Sequence, residues 1–240
     1  MKRLLAGVAL AMVVGAGVQA APAQAGSVTP ISPGSSYWTY NGYGSGRLGS
    51  WNLLGRMRSA DAAFAAAKSG VWVYGDSITR ADYDNLDASL RMKGIPSAVD
   101  AQGGLPTAPA VDRLAARVAM QGSPRVLLMA TGSNDIFNPS YMSVQTRRVR
   151  AVVGSGTKIV WVNVYVRRTS VWTTMQASDL RNTRTVNAAI AAAPTNRIVD
   201  WYGFLVAKSS RPGAYLKDGV HTTPSGQAAR NALIVAQVTS

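Results

Sequence analysis

From residue 59 onward, short apolar runs alternate with longer amphipathic stretches, and this alternation leaves very few folds open to the chain. The apolar runs fall at 71–74, 97–100, 126–130, 159–166 and 198–199. Helical patterns occupy 60–68, 80–93, 108–120, 141–153, 178–193 and 224–238. Strands separated by helices imply a parallel sheet covered on both faces, an α/β architecture of about five parallel strands. In such a sheet the ligand crevice lies at the carboxyl ends of the strands, so chemistry is sought just after each apolar run. Gly75-Asp76-Ser77 follows the first, Gln102-Gly103-Gly104 the second, Gly132-Ser133-Asn134-Asp135 the third and Arg167-Arg168 the fourth. Asp218-Gly219-Val220-His221 stands immediately before the last helix, which opens at Pro224 with Thr222 or Thr223 as its N-cap.

The residues before this regular region read differently. Lys2 and Arg3 precede an apolar run from Leu4 to Val18 and a small-residue exit at Ala23-Gln24-Ala25, so 1–25 reads as a signal peptide cleaved after Ala25. No later stretch approaches the ~18 continuous apolar residues of a membrane span, which implies a secreted or cell-wall-associated protein with no transmembrane anchor after processing. Residues 26–58 form a Gly-, Ser- and aromatic-rich arm containing Tyr37, Trp38, Tyr40, Tyr43 and Trp51. The arm also holds Gly44-Ser45-Gly46-Arg47-Leu48-Gly49, but no apolar strand precedes it, so it reads as a loop and not as a dinucleotide fingerprint. The remaining 59–240 is long and apolar enough to bury one core, with 47% hydrophobic residues overall.

The charge balance bears on partners. Lys and Arg total 25 against 11 acids, a formal charge of +14 of which Lys2 and Arg3 supply two. On an exported chain such a balance favours association with anionic cell-wall polymers, acidic polysaccharides or lipid headgroups. No zinc finger, RNP-like aromatic motif or long basic helix points to specific nucleic-acid recognition.

Scarcity narrows the chemistry further. There is no Cys and one His, and every acid is Asp. Disulfides, thiolate metal sites, cysteine nucleophiles and two- or three-His zinc centres are therefore excluded, as is any Glu-based acid–base chemistry. Any reaction needing an imidazole must use His221. A serine hydroxyl is a poor nucleophile until a base removes its proton and a third group orients that base. Ser77 lies where a strand gives way to a helix, and Asp218 stands three residues before His221 in a Gly-containing loop. A nearby helix N-terminus disfavours a protonated imidazole and Asp218 favours one, which predicts a base working near neutrality. The oxyanion donors expected are the backbone N–H groups of Ser77 and Gly104 (or Gly103) and the side-chain amide of Asn134.

Taken together, Gly75-Asp76-Ser77-Ile78, Gly103-Gly104, Gly132-Ser133-Asn134-Asp135 and Asp218-Gly219-Val220-His221 resemble, in order, the four blocks of the SGNH (GDSL-type) hydrolases. Ile78 replaces the Leu of the family's name, and the second block is loose. The G-x-S-x-G elbow of the other large hydrolase family is absent. The resemblance implies a flavodoxin-like three-layer α/β/α sandwich with Ser77 as nucleophile, His221 as base, Asp218 as its partner and Ser77, Gly104 and Asn134 as oxyanion donors. It further implies a serine esterase that needs no metal or organic cofactor. Arg167, Arg168 and Trp172, after the fourth apolar run, are candidates for a sugar-like or anionic substrate surface.

An exported address and a small domain favour deacetylation of a carbohydrate or cell-wall polymer. A lipase or broad short-chain esterase, an acyltransferase to sugar hydroxyls, and a non-catalytic secreted binding module are the alternatives.

Overall fold

The computed structural model describes residues 55–240 except 195, 196, 209 and 211. The expected signal peptide and the aromatic part of the arm lie outside the described residues. In chain order the elements are β1 (Arg56–Arg58), α1 (Asp61–Ala66), β2 (Val71–Gly75), α2 (Ser77–Arg91), β3 (Ser97–Gln102) and α3 (Thr107–Gln121), followed by β4 (Val126–Ala130) and α4 (Met142–Val153). The chain continues with β5 (Lys158–Val162), α5 (Thr173–Ala191), β6 (Arg197–Val199), α6 (Trp201–Ala207) and α7 (Pro224–Thr239).

The sheet order is β1-β3-β2-β4-β5-β6, with every pair parallel except β1 against β3. Setting β1 aside, the remaining five strands follow the flavodoxin-like order, which reverses beside β2. The chain leaves β2 for β3 on one side and crosses to β4 on the other, so a crevice opens between the carboxyl ends of β2 and β4.

Alternation along each strand supplies the two apolar layers. Trp72, Tyr74, Leu127, Met129, Ile159 and Trp161 face α1, α3, α4 and α5, meeting Phe64, Leu114, Val149 and Ile190. Val71, Val73, Leu128, Val160 and Val162 face α2, α6 and α7, meeting Leu86, Leu90, Leu205 and Ile234.

Three features depart from the sequence reading. The sheet has six strands, not five, because Arg56–Arg58 at the end of the arm pairs with β3. Its Arg-Met-Arg sequence carries no apolar run; it is held by the backbone ladder and by the Arg56 guanidinium, which donates to both oxygens of the buried Asp100 at 2.9 and 2.6 Å. The strand expected over 159–166 ends at Val162, since the amide and carbonyl of Val164 are taken by the side-chain amide of Asn187, both at 2.8 Å. α6 is a further element, a seven-residue helix capped by Asp200, whose carboxylate accepts from the Gly203 N–H.

Candidate active site

The crevice between β2 and β4 is built from four segments. β2 ends at Gly75, where a Cβ would lie 2.3 Å from the Thr79 side chain, so only glycine lets the strand turn this closely into the helix. Asp76 is extended and caps α2, its Oδ1 accepting from the Ile78 N–H at 3.0 Å. Ser77 is thereby the first residue of the helix, where backbone N–H groups point out of the helix end and the dipole favours negative charge.

The base arrives on a turn whose ends are joined by a bridge between Leu216 and Thr222 and by the Lys217 N–H donating to the His221 carbonyl at 2.9 Å. Gly219 has φ +83°, and a Cβ there would meet the Arg167 carbonyl oxygen at 1.8 Å. That close approach lets the segment after β5 clamp the turn: the Arg167 N–H donates to the Gly219 carbonyl at 3.0 Å and the Thr169 N–H to the Asp218 carbonyl at 2.9 Å. α7 then opens at Pro224, with Thr223 as its N-cap.

These segments bring three side chains into line. Ser77 Oγ lies 2.9 Å from His221 Nε2, and His221 Nδ1 lies 2.7 Å from Asp218 Oδ2. The other Asp218 oxygen accepts from the His221 and Val220 N–H groups at 2.7 and 3.0 Å. Burial pushes the Asp218 carboxyl up, but hydrogen bonds from His221 and Val220 and the imidazole's charge outweigh it and hold the group below its ordinary value. An ionised Asp218 on Nδ1 leaves Nε2 free to accept the serine proton, the geometry a general base requires.

On the opposite wall, Gly103 gives its N–H to the Gly55 carbonyl at 3.0 Å, whereas Gly104 is partly exposed at φ +72°. The Gly103 N–H is thus already engaged, which leaves Gly104 as the candidate of the two. The Asn134 amide reaches across to the Leu105 carbonyl at 3.3 Å, linking this wall to the loop after β4. Asp135, named in sequence only as part of its motif, proves to be the tie between the two loops. Its Oδ2 accepts from the N–H and the hydroxyl of Thr107 at 2.9 and 2.8 Å, with all three groups buried.

A pocket of about 200 Å³ runs alongside the line of side chains, walled by Ile136, Phe137, Val166 and Val220, with Arg168 and Ser170 at its polar side. Arg168 is held by Asp179, which is fully buried and takes the guanidinium on both oxygens at 2.9 and 2.8 Å, and it lies 5.0 Å from the Phe137 ring centre. Neither Arg167 nor Trp172 lines this pocket: Arg167 donates to Gln176 at 3.1 Å, and Trp172 is 81% exposed at the start of α5. Phe137 and Asp179 escaped the sequence reading because a lone aromatic and a mid-helix Asp carry no motif. A larger groove of about 910 Å³ between α2 and α7, lined by Ala88, Met92, Ala232 and Val235, contains no nucleophile and base in contact.

Among the described residues no cluster of three or more His, Cys, Asp or Glu could hold a metal ion, and no helix is long and apolar enough to cross a membrane. No family model and no curated protein matches the chain. Solved structures do. The C-terminal catalytic domain of peptidoglycan O-acetyltransferase A from Streptococcus pneumoniae is similar at TM-score 0.56 and 17% identity, over 71% of this chain and 93% of that one. A member of the lipolytic G-D-S-L family from Veillonella parvula is similar at TM-score 0.56 and 15% identity, over 71% and 98%. An acetyl xylan esterase from Geobacillus stearothermophilus is similar at TM-score 0.54 and 16% identity, over 71% and 96%. At these identities the likeness is one of fold, the three-layer α/β/α sandwich that these enzymes share.

Proposed function

We propose that this chain is a serine esterase of the SGNH type, acting through an acyl-enzyme on Ser77. The observation that carries the reading is the unbroken line Ser77 Oγ, His221 Nε2, His221 Nδ1, Asp218 Oδ2, with contacts of 2.9 and 2.7 Å at the mouth of a pocket. Ser77 Oγ attacks the ester carbonyl carbon while its proton passes to His221 Nε2. The carbonyl oxygen becomes negative against the α2 N-terminus, the Gly104 N–H and the Asn134 amide. When the tetrahedral centre collapses, the C–O bond to the alcohol breaks and His221 returns the proton to the departing oxygen. Water then repeats the sequence on the acyl-enzyme, releasing the acid and restoring Ser77.

The acyl group proposed is small, acetyl above all, and its carrier a carbohydrate or cell-wall polymer. A pocket near 200 Å³ with four apolar walls suits a short acyl chain, and the similar acetyl xylan esterase and peptidoglycan O-acetyltransferase are named for acetylated polymers. The leader-like 1–25 and the excess of Lys and Arg support an exported enzyme working beside anionic polymers.

Ser77→Ala tests the reading. Hydrolysis of p-nitrophenyl acetate and of acetylated xylan should fall by at least ~10³-fold with the circular dichroism spectrum unchanged. A variant as active as the parent excludes it, and turnover that rises steadily from acetyl to long-chain esters excludes the acetyl preference.

A further inference from the structure

Behind Ser77, the interface of α2 and α7 is lined with charge. Asp76, Thr79 and Asp82 recur along one face of α2 and are 0, 1 and 3% exposed; Arg230 and Asn231 on α7 are 2 and 4% exposed. The Ser133 side chain meets Asp76 and the Asn231 side chain meets Asp82, whereas Thr79 Oγ1 and Arg230 Nε and Nη1 have no hydrogen-bond partner. A cation on the inward face of a helix, with two donors unmatched, is a costly arrangement for a protein to keep. Breaches of this kind tend to serve a site.

The site in reach is the one already described. Arg230 lines a small internal cavity together with Ile78 and Ser133, the residues next to Ser77 and Asn134. We propose that Arg230 is a positioning residue for the hydrolysis inferred above: its buried guanidinium cancels the negative field of Asp76 beside Ser77, where the reaction must build a second negative charge. The inference rests on that reading of Ser77. Asp76 is needed as the N-cap that starts α2 at Ser77, yet a carboxylate one residue from the nucleophile opposes an oxyanion forming there. Arg230 resolves the conflict by balancing the carboxylate from its buried place on α7. Desolvation pushes the Asp76 carboxyl up and the Arg230 guanidinium down, while the attraction between the two opposes both shifts. Asp82 adds a second negative charge acting on Arg230, and His221 a second positive influence on Asp76.

The test is a double-mutant cycle on kcat in the full-length chain. Arg230→Met should lower kcat for p-nitrophenyl acetate by ~10-fold or more with KM within about threefold, and Arg230→Lys should recover most of the loss. Asp76→Asn added to Arg230→Met should bring kcat back to within about threefold of the parent, because the field needing compensation is gone and Asn still caps a helix. A purely structural Arg230 predicts instead a double variant at least as slow as the single one, and that result overturns the proposal. If Arg230→Met does not fold, the neutral double variant and Arg230→Lys decide alone: a folded double variant ~10-fold or more below the parent also overturns it. Loss of activity in Ser77→Ala with parental kcat in Arg230→Met would sink this inference and leave the esterase reading standing.

Discussion

Asp218 and Asp76 flank the same reacting pair, one three residues before His221 and the other one residue before Ser77, and their surroundings treat negative charge in opposite ways. Asp218 is half-buried and holds its charge by three contacts: two backbone N–H groups and the imidazole. Asp76 is fully buried, accepts from the Ile78 N–H and is met by the Ser133 side chain, yet desolvation holds its carboxyl above the ordinary value. A carboxylate near the water boundary can be stabilised by local donors alone. One sealed in the core draws on charge beyond its local donors, and here Arg230 and, after it, His221 act on Asp76.

The largest effect should come from the outer carboxylate. Asp218→Asn keeps the shape but offers an amide to Nδ1, which favours the wrong imidazole tautomer; kcat for p-nitrophenyl acetate should drop by ~10²–10⁴-fold while thermal unfolding moves little. A variant within threefold of the parent would mean that Asp218 does not orient the base. Next in size is Asn134→Ala, which removes one proposed oxyanion donor and should cost ~10²-fold in kcat with KM nearly constant. If KM rises instead and kcat holds, the Asn134 amide binds ground-state substrate. Smaller still is Asp135→Asn, which weakens the ties to Thr107 that join the two oxyanion loops. Leaving buried donors poorly matched should cost ~1–3 kcal/mol in urea unfolding, with a rate loss of lesser size than in Asn134→Ala. Equal stability in parent and variant would show that the loops are held by other contacts.

The division between what was legible in the sequence and what was not follows the same contrast between local and remote partners. Gly75-Asp76-Ser77, Ser133-Asn134-Asp135 and the Asp218-to-His221 turn are short and punctuated by residues with narrow backbone demands, so their places after strands or before a helix can be read directly. β2 and β4 are equally plain, being continuous apolar runs buried on both faces. β1 was hidden because its pairing depends on Asp100, 44 residues away from Arg56. The extent of β5 was overstated because Val164 looks like strand, and only the tertiary contact from Asn187 shows that its backbone is satisfied elsewhere. Asp135 and Asp179 are likewise defined by partners outside their own motif, Thr107 and Arg168. An Arg in α7 reads as a solvated residue until the packing of α2 puts it inside.

The smallest expected effect separates the two carboxylates through pH. The Asp218 carboxyl is depressed in the folded chain, so it contributes stability that is present above its unfolded value and is lost as pH falls through its folded one. The Asp76 carboxyl is raised, so ionising it opposes folding, and acidification relieves that opposition. Between about pH 5 and about pH 3 the two contributions therefore run in opposite directions and partly cancel in the parent. Asp218→Asn removes only the stabilising one. Its unfolding free energy, measured by urea titration at each pH, should fall less than the parent's across that interval. Solvent screening at a half-exposed group keeps the difference small. Parallel curves would mean that the hydrogen bonds to Asp218 do not favour its ionised form, and the outer carboxylate would lose the property that sets it apart from the inner one.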